Sequence, residues 1–251
     1  MSGHSKWAGI KHKKAVVDAK RGQAFTKASR EISIAAREAG GDQTSNFRLR
    51  LAVQKAREVN MPADKIQNAI DRGTGAGKGE TWEELRYEGF GPSGVALLVD
   101  VVTDNRNRTA PQIRHLFSKY GGNLGEANSV GWMFERKGVL SVTLGDQDSE
   151  EIELAAIEAG AEDIREDEGT LEIVTEPPAF EDVRTALEGR GVAIESAEVT
   201  MQPKQTIPVE EDRAAAVLRL IEVLEEEDDV QQVHANFDIP ADVLERVSAS
   251  V

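Results

Sequence analysis

The chain has 251 residues, and its 30 Lys+Arg against 45 Asp+Glu give a formal net charge of −15, a length that accommodates two or three domains. It has no cysteine, which excludes disulfides, thiolate zinc sites and cysteine nucleophiles and suits a reducing cytoplasm. Apolar runs fall short of the ~20 residues that span a bilayer, and the beginning lacks the apolar stretch of a secretory signal, so a soluble cytoplasmic protein is expected.

The charge is unevenly placed. Residues 1–72 hold 15 Lys+Arg against 7 Asp+Glu, a net of +8; the remainder holds 15 against 38, a net of −23. A basic head on an acidic body points to one face committed to a polyanion and a bulk that stays clear of it. The structural alternative is that the basic segment docks on the protein's own acidic part.

The chain opens on Gly3-His4-Ser5-Lys6-Trp7-Ala8-Gly9-Ile10-Lys11-His12-Lys13-Lys14, with no acidic residue before Asp18. Two glycines and sparse apolar residues argue for an extended or loosely turned arm that becomes helical near Lys14. Lys6, Lys11, Lys13 and Lys14 suit phosphates without demanding sequence. Trp7 suits stacking on an exposed base or, equally, covering apolar helix surface. His4 and His12 have no carboxylate or third ligand nearby in sequence, so hydrogen bonding to phosphate or backbone is expected and metal is not.

Phe25, Ala28, Ile32, Ala35 and Ala39 mark one face of a helix ending at Gly40-Gly41, interleaved with Lys20, Arg21, Lys27, Arg30 and Arg37. Asn46 is placed to cap a second helix with inner face Leu49, Ala52, Val53, Ala56 and Val59. A third follows Pro62, carries Ile66, Ala69 and Ile70, and closes at Gly73. Lys20, Arg21, Lys27 and Arg30 join the arm's His4, Lys6, Trp7, Lys11, His12, Lys13 and Lys14 as candidate nucleic-acid contacts. The glycine-rich 73–79 stretch fails as a phosphate loop: only three residues separate Gly73 from Gly77, no Ser or Thr follows Lys78, and it follows a helix. It reads as a linker.

Beyond it the period changes to two. Strands are expected at 85–90 and 95–102, a helix over 110–120, a glycine-rich stop and turn at 121–125, and another strand through Val130, Trp132 and Phe134. Asp104 to Thr109 has two readings. Arg106 and Arg108 at a helix start suit a secondary anion site; or Asn105 and Asn107 shape a turn, Thr109 caps the helix and Asp104 pairs with an arginine. Residues 138–200 read as a βαββαβ ferredoxin-like unit. A helix over 210–226 and a strand over 232–237 then supply what the 82–135 block lacks. The acidic run Glu225-Glu226-Glu227-Asp228-Asp229 reads as a solvated helix end, or as a contact for a basic partner or the protein's own arm.

The expected fold is therefore α+β in three domains: a basic arm and helical domain over 1–75, a discontinuous α/β domain over 80–136 plus 203–251, and an inserted ferredoxin-like domain over 137–202. No nucleophile elbow or zinc-protease motif is present, His115 lies beside core residues and His234 in a strand, so no catalytic residue, cofactor or small-molecule substrate is expected.

These residues resemble a known family. Gly3-His4-Ser5-Lys6-Trp7, Lys11-His12-Lys13-Lys14, Asp18-Ala19-Lys20-Arg21-Gly22, Asn60-Met61-Pro62, Tyr87-Glu88-Gly89-Phe90-Gly91-Pro92, Thr103-Asp104-Asn105-Arg106-Asn107-Arg108, Gly121-Gly122-Asn123-Leu124-Gly125 and Ala235-Asn236-Phe237-Asp238 are similar to the signature stretches of the YebC/PmpR family. The resemblance is weakest over 140–200. It implies a non-enzymatic, cytoplasmic, three-domain regulator of gene expression, usually described as a DNA-binding transcriptional regulator. A mitochondrial relative described as a translational activator, and bacterial members linked to stalled ribosomes, imply ribosomal RNA and the ribosome as the alternative partner. A scaffold and a metal-dependent nuclease are the remaining alternatives.

Overall fold

The computed structural model describes Trp7 and residues 18–75, 82–145, 147–167 and 169–248. Helix α1 (Asp18–Ala39) stops where Gly40 takes a φ of +88°, a conformation that costs glycine nothing. Asn46 caps α2 (Phe47–Glu58): its Oδ1 accepts from the Leu49 amide at 3.0 Å, while its Nδ2 donates to the Ala35 and Gly40 carbonyls at 2.7 and 2.8 Å. One buried side chain thus closes α1 and opens α2. Helix α3 (Ala63–Gly73) crosses α1 so closely that a Cβ on Gly73 would lie 2.3 Å from the Ser33 carbonyl oxygen. The three helices share a core of Ile32, Ala35, Leu49, Val53, Ile66 and Ile70.

A first sheet contains β1 (Glu83–Phe90), β2 (Ala96–Thr103), β3 (Asn123–Leu124) and β9 (Val230–Ala235) in the order β3-β1-β2-β9, all antiparallel. Central β2 is buried on both faces, which accounts for its apolar run, interrupted by Asp100. Leu97, Val99 and Val101 pack into the core with helices α4 (Arg106–Lys119) and α7 (Glu211–Glu225); Ala96 and Leu98 meet Val130 and Phe134 on the other side.

The expected strand through Val130, Trp132 and Phe134 is not formed. Residues 131–133 make a 3-10 turn, and the fourth strand of the first sheet is the two-residue β3 inside the glycine-rich turn. Val130 and Phe134 are buried together, whereas Trp132 is 66% exposed. The apolar spacing that imitates a strand comes from this turn.

A second antiparallel sheet is built from β4 (Phe134–Thr143), β5 (Ala161–Asp167), β6 (Thr170–Thr175) and β7 (Ile194–Pro203) in the order β5-β6-β4-β7. With α5 (Ser149–Glu158) after β4 and α6 (Phe180–Gly189) after β6, this is the ferredoxin-like order. Leu140, Val142, Leu171 and Ile173 face Ile152, Ala156, Phe180 and Leu187 of the two helices. In sequence these strands lie between β3 and β9 of the first sheet. Chain segments β8 (Ile207–Pro208) and β10 (Phe237–Asp238) form a small parallel pair, and α8 (Ala241–Ser248) ends the described chain. The protein is thus α+β: a helical region followed by two sheets with their helices.

Candidate nucleic-acid interface

Of the arm's candidates, His4, Lys6, Lys11, His12, Lys13 and Lys14 lie outside the described residues. The Lys20 and Arg21 backbone belongs to the first turn of α1. Trp7 is only 5% exposed and joins the apolar cluster formed by β2, α4, α7 and β9. Its indole Nε1 is buried with no acceptor among the described residues. In this arrangement its ring covers apolar surface, the structural alternative, and is not displayed for base stacking.

Lys27 and Arg30 are both occupied. Lys27 Nζ donates to the Glu225 carbonyl at the end of α7. The Arg30 guanidinium donates to the Asp228 carbonyl, lies 3.2 Å from Asp229 Oδ1, and sits 4.7 Å over the Trp82 ring. Gln23, one turn before Lys27, donates to the Glu226 carbonyl. The acidic run therefore receives α1 of the same chain, as the sequence alternative allowed.

Asp229 is the centre of this junction. Its Oδ2 accepts from Thr103 Oγ1 at 3.0 Å, Thr109 Oγ1 at 2.7 Å and Arg108 at 2.8 Å. Burial alone would raise the carboxyl's pKa, but these donors outweigh it and leave the pKa below the ordinary value. Next to it, Glu227 is pushed up by burial and by Asp228 and Asp229. In the Asp104–Thr109 stretch, the expected pairing of Asp104 with an arginine is present, but Asn107 and Thr109 lie inside the helix. Arg108 makes that pair at 2.9 Å, and the cap of α4 is Asn105, whose Oδ1 accepts from the Arg108 amide at 3.2 Å. Arg106 is exposed at the start of α4.

A cleft of about 1080 Å³ separates the three-helix region from the two sheets. Most of its charged lining is paired internally. Arg48 contacts Glu31, Glu38 and Glu84, and Lys55 lies 3.2 Å from Glu198. Arg86 holds Asp100 through two bonds of 2.6 and 3.0 Å; Asp100 in turn lies 3.1 Å from His234 Nε2, and His234 Nδ1 lies 3.2 Å from Thr200. Burial would raise the Asp100 pKa, yet His234 and Arg86 bring it down to about 2. Arg57 on α2 and Lys65 on α3 are exposed. Among the described residues, no group of three or more His, Asp or Glu side chains is placed to hold a metal ion, and no helix is long and apolar enough to cross a membrane.

The sequence did not single out Asp229 or Arg48 as junctions. The only available signal was their position, one closing an acidic run and the other opening a basic helix.

Comparison with known proteins decides the relationship. Residues 5–76 match the TACO1/YebC N-terminal domain, and residues 82–237 match the TACO1/YebC second and third domain. The chain belongs to the TACO1/YebC family. Relatives named "probable transcriptional regulatory protein" include one from Natranaerobius thermophilus, 55% identical over 98% of this chain and 99% of its own. Another, from Moorella thermoacetica, is 55% identical over 98% of this chain and 99% of its own. A crystal structure described as a conserved hypothetical protein from Aquifex aeolicus superposes with a TM-score of 0.80 at 46% identity, covering 90% of this chain and 93% of that one. As a family member, the chain shares an architecture in which the helical region and the two sheets are recurrent parts.

Proposed function

We propose that this TACO1/YebC protein is a non-enzymatic, nucleic-acid-binding regulator of gene expression, in the first place a DNA-binding transcriptional regulator acting in the cytoplasm. The observation that carries the reading is the charge division: 15 cations against 7 anions over residues 1–72, and 15 against 38 over the rest. Lysines of the arm and the cations of α1 grip phosphates, a contact needing charge and reach more than sequence. The acidic remainder is repelled by the polymer and orients the basic end toward it. The relatives' names support a regulatory role. The same reading divides the chain into 1–75, 80–136 plus 203–251, and 137–202.

A second reading, a ribosome- or RNA-associated translation factor, is favoured by one observation. Base readout in the major groove needs side chains presented by a helix. On α2, however, Arg48 and Lys55 are tied to carboxylates of their own chain. An interface resting on backbone and shape suits structured RNA at least as well as duplex DNA.

The test is crosslinking of the protein to nucleic acid in cells, followed by sequencing of what is recovered. Specific promoter DNA without ribosome association supports the first reading. Ribosomal RNA, with co-sedimentation abolished by Lys6, Lys11, Lys13 and Lys14→Ala, supports the second. Recovery of neither overturns both.

A further inference from the structure

The donors of α1 that meet the acidic turn form one row. Gln23, Lys27 and Arg30 are four and three residues apart, the spacing that places side chains above one another on a helix. Each reaches a backbone carbonyl oxygen, those of Glu226, Glu225 and Asp228 respectively. These acceptors lie at and just beyond the C-terminus of α7, where unpaired carbonyls carry about half a negative charge. Five consecutive acidic residues, Glu225 to Asp229, surround them. The turn therefore offers α1 closely spaced oxygens in a strongly negative field, as a phosphodiester backbone does.

The contact is suited to being exchanged. The core of the three helices and the core around α7 are separate clusters, and no described residue of α1 belongs to the latter. The bonds to the carbonyls are individually weak because water replaces them when they open, each contributing on the order of 1 kcal/mol; the buried Arg30–Asp229 pair is the firmer part of the contact. Glu227, whose pKa is raised beside its neighbours, adds mutual repulsion to the turn when it is charged.

We propose that the turn at the end of α7 is an intramolecular competitor for the polynucleotide: it occupies the Gln23–Lys27–Arg30 row, and nucleic acid engages α1 by displacing it. This rests on the reading of α1 as part of the phosphate grip. In the free protein the row is protected from indiscriminate anions. Only a polymer that simultaneously engages the arm competes effectively, because the arm raises its local concentration at α1. Binding then releases α1 from α7.

The absence of native cysteine makes the test direct. Gln23→Cys and Glu226→Cys are introduced together and joined by a short crosslinker that reductant cleaves. Binding of labelled duplex DNA and of a labelled structured RNA is then measured on the whole chain, joined and cleaved. The joined form is expected to bind about tenfold more weakly, having lost phosphate contacts, and cleavage is expected to restore affinity in the same sample. A companion variant, Glu226→Gln with Asp228→Asn, weakens the competitor and is expected to bind about threefold more tightly. Equal binding by joined and cleaved protein overturns the proposal. Lys27→Ala in the cleaved protein then separates the two layers. If it weakens binding, the phosphate grip stands and only displacement is wrong; if it has no effect, α1 is not part of the grip.

Discussion

Replacing Asp229 with alanine probes the junction that joins the end of β2, the start of α4, the start of β9 and helix α1. Four groups lose an acceptor, but not equally. Thr109 Oγ1 already lies 3.1 Å from the Asn105 carbonyl and 2.9 Å from Thr103 Oγ1. The two buried hydroxyls can therefore re-form a chain in which Thr103 donates to Thr109 and Thr109 to Asn105. Arg108 is half exposed and keeps Asp104. Arg30, with a side chain only 12% exposed, keeps the Asp228 carbonyl and the Trp82 ring but loses its carboxylate. Removing one partner of a buried pair typically costs 3–5 kcal/mol, and the available rearrangement argues for the lower end, about 3 kcal/mol. Because a chain of several parts need not unfold in one step, the loss is best read locally. Native-state hydrogen exchange at the amides of β2, β9 and the first turns of α4 should show protection lowered by about two powers of ten, by 1.4 kcal/mol per power. The double variant with Arg30→Ala should cost clearly less than the two single losses together. Protection changed by less than about threefold, or strictly additive effects, would refute the view of Asp229 as the shared anchor.

Two glycines of α1 and α3 should respond in opposite directions. Gly73→Ala forces a Cβ to 2.3 Å from the Ser33 carbonyl oxygen and 2.7 Å from Ala36 Cβ, so the helices must part at a cost of about 1–3 kcal/mol. Gly22→Ala, at an exposed position of α1, meets nothing within 4 Å and should stabilise by about 0.5–1 kcal/mol; thermal melts compare the two. Asp100 gives a pH signature. Its pKa is depressed from 3.8 to about 2, so its contribution is present above about pH 4 and is lost as pH falls toward 2. That increment is about 2 kcal/mol, and urea midpoints across this window should fall less steeply for Asp100→Asn than for the natural chain.

The local rules carried far in this chain. Asn46 announces the second helix, Gly40 ends the first, and the β-branched run of β2 marks a central strand because both its faces are covered. The order of strands and helices after Gly138 is enough to give the ferredoxin-like topology. What was not legible depends on partners distant in sequence. Strand β3 has two residues and no period to detect, and it exists because glycines allow close approach: a Cβ on Gly122 would lie 2.6 Å from the Phe90 carbonyl oxygen. The residue types of Lys27 and Arg30 are those of a phosphate surface. Nothing local shows that carbonyls some 198 residues away occupy them. Arg48 likewise looks like an outward cation until Glu84, from the strand after the linker, is placed beside it.

The central claim is that the basic front of the molecule holds polynucleotide through its phosphates. It is tested most directly by equilibrium binding of the whole chain to duplex DNA and structured RNA over a salt series, beside the variant with Lys6, Lys11, Lys13 and Lys14 all changed to alanine. With about five phosphates contacted on duplex DNA, log K should fall against log salt with a slope of roughly −4 to −5, and the variant should lose most of that slope together with its affinity. Binding that ignores salt, or a variant that binds as tightly as the natural chain, would contradict it.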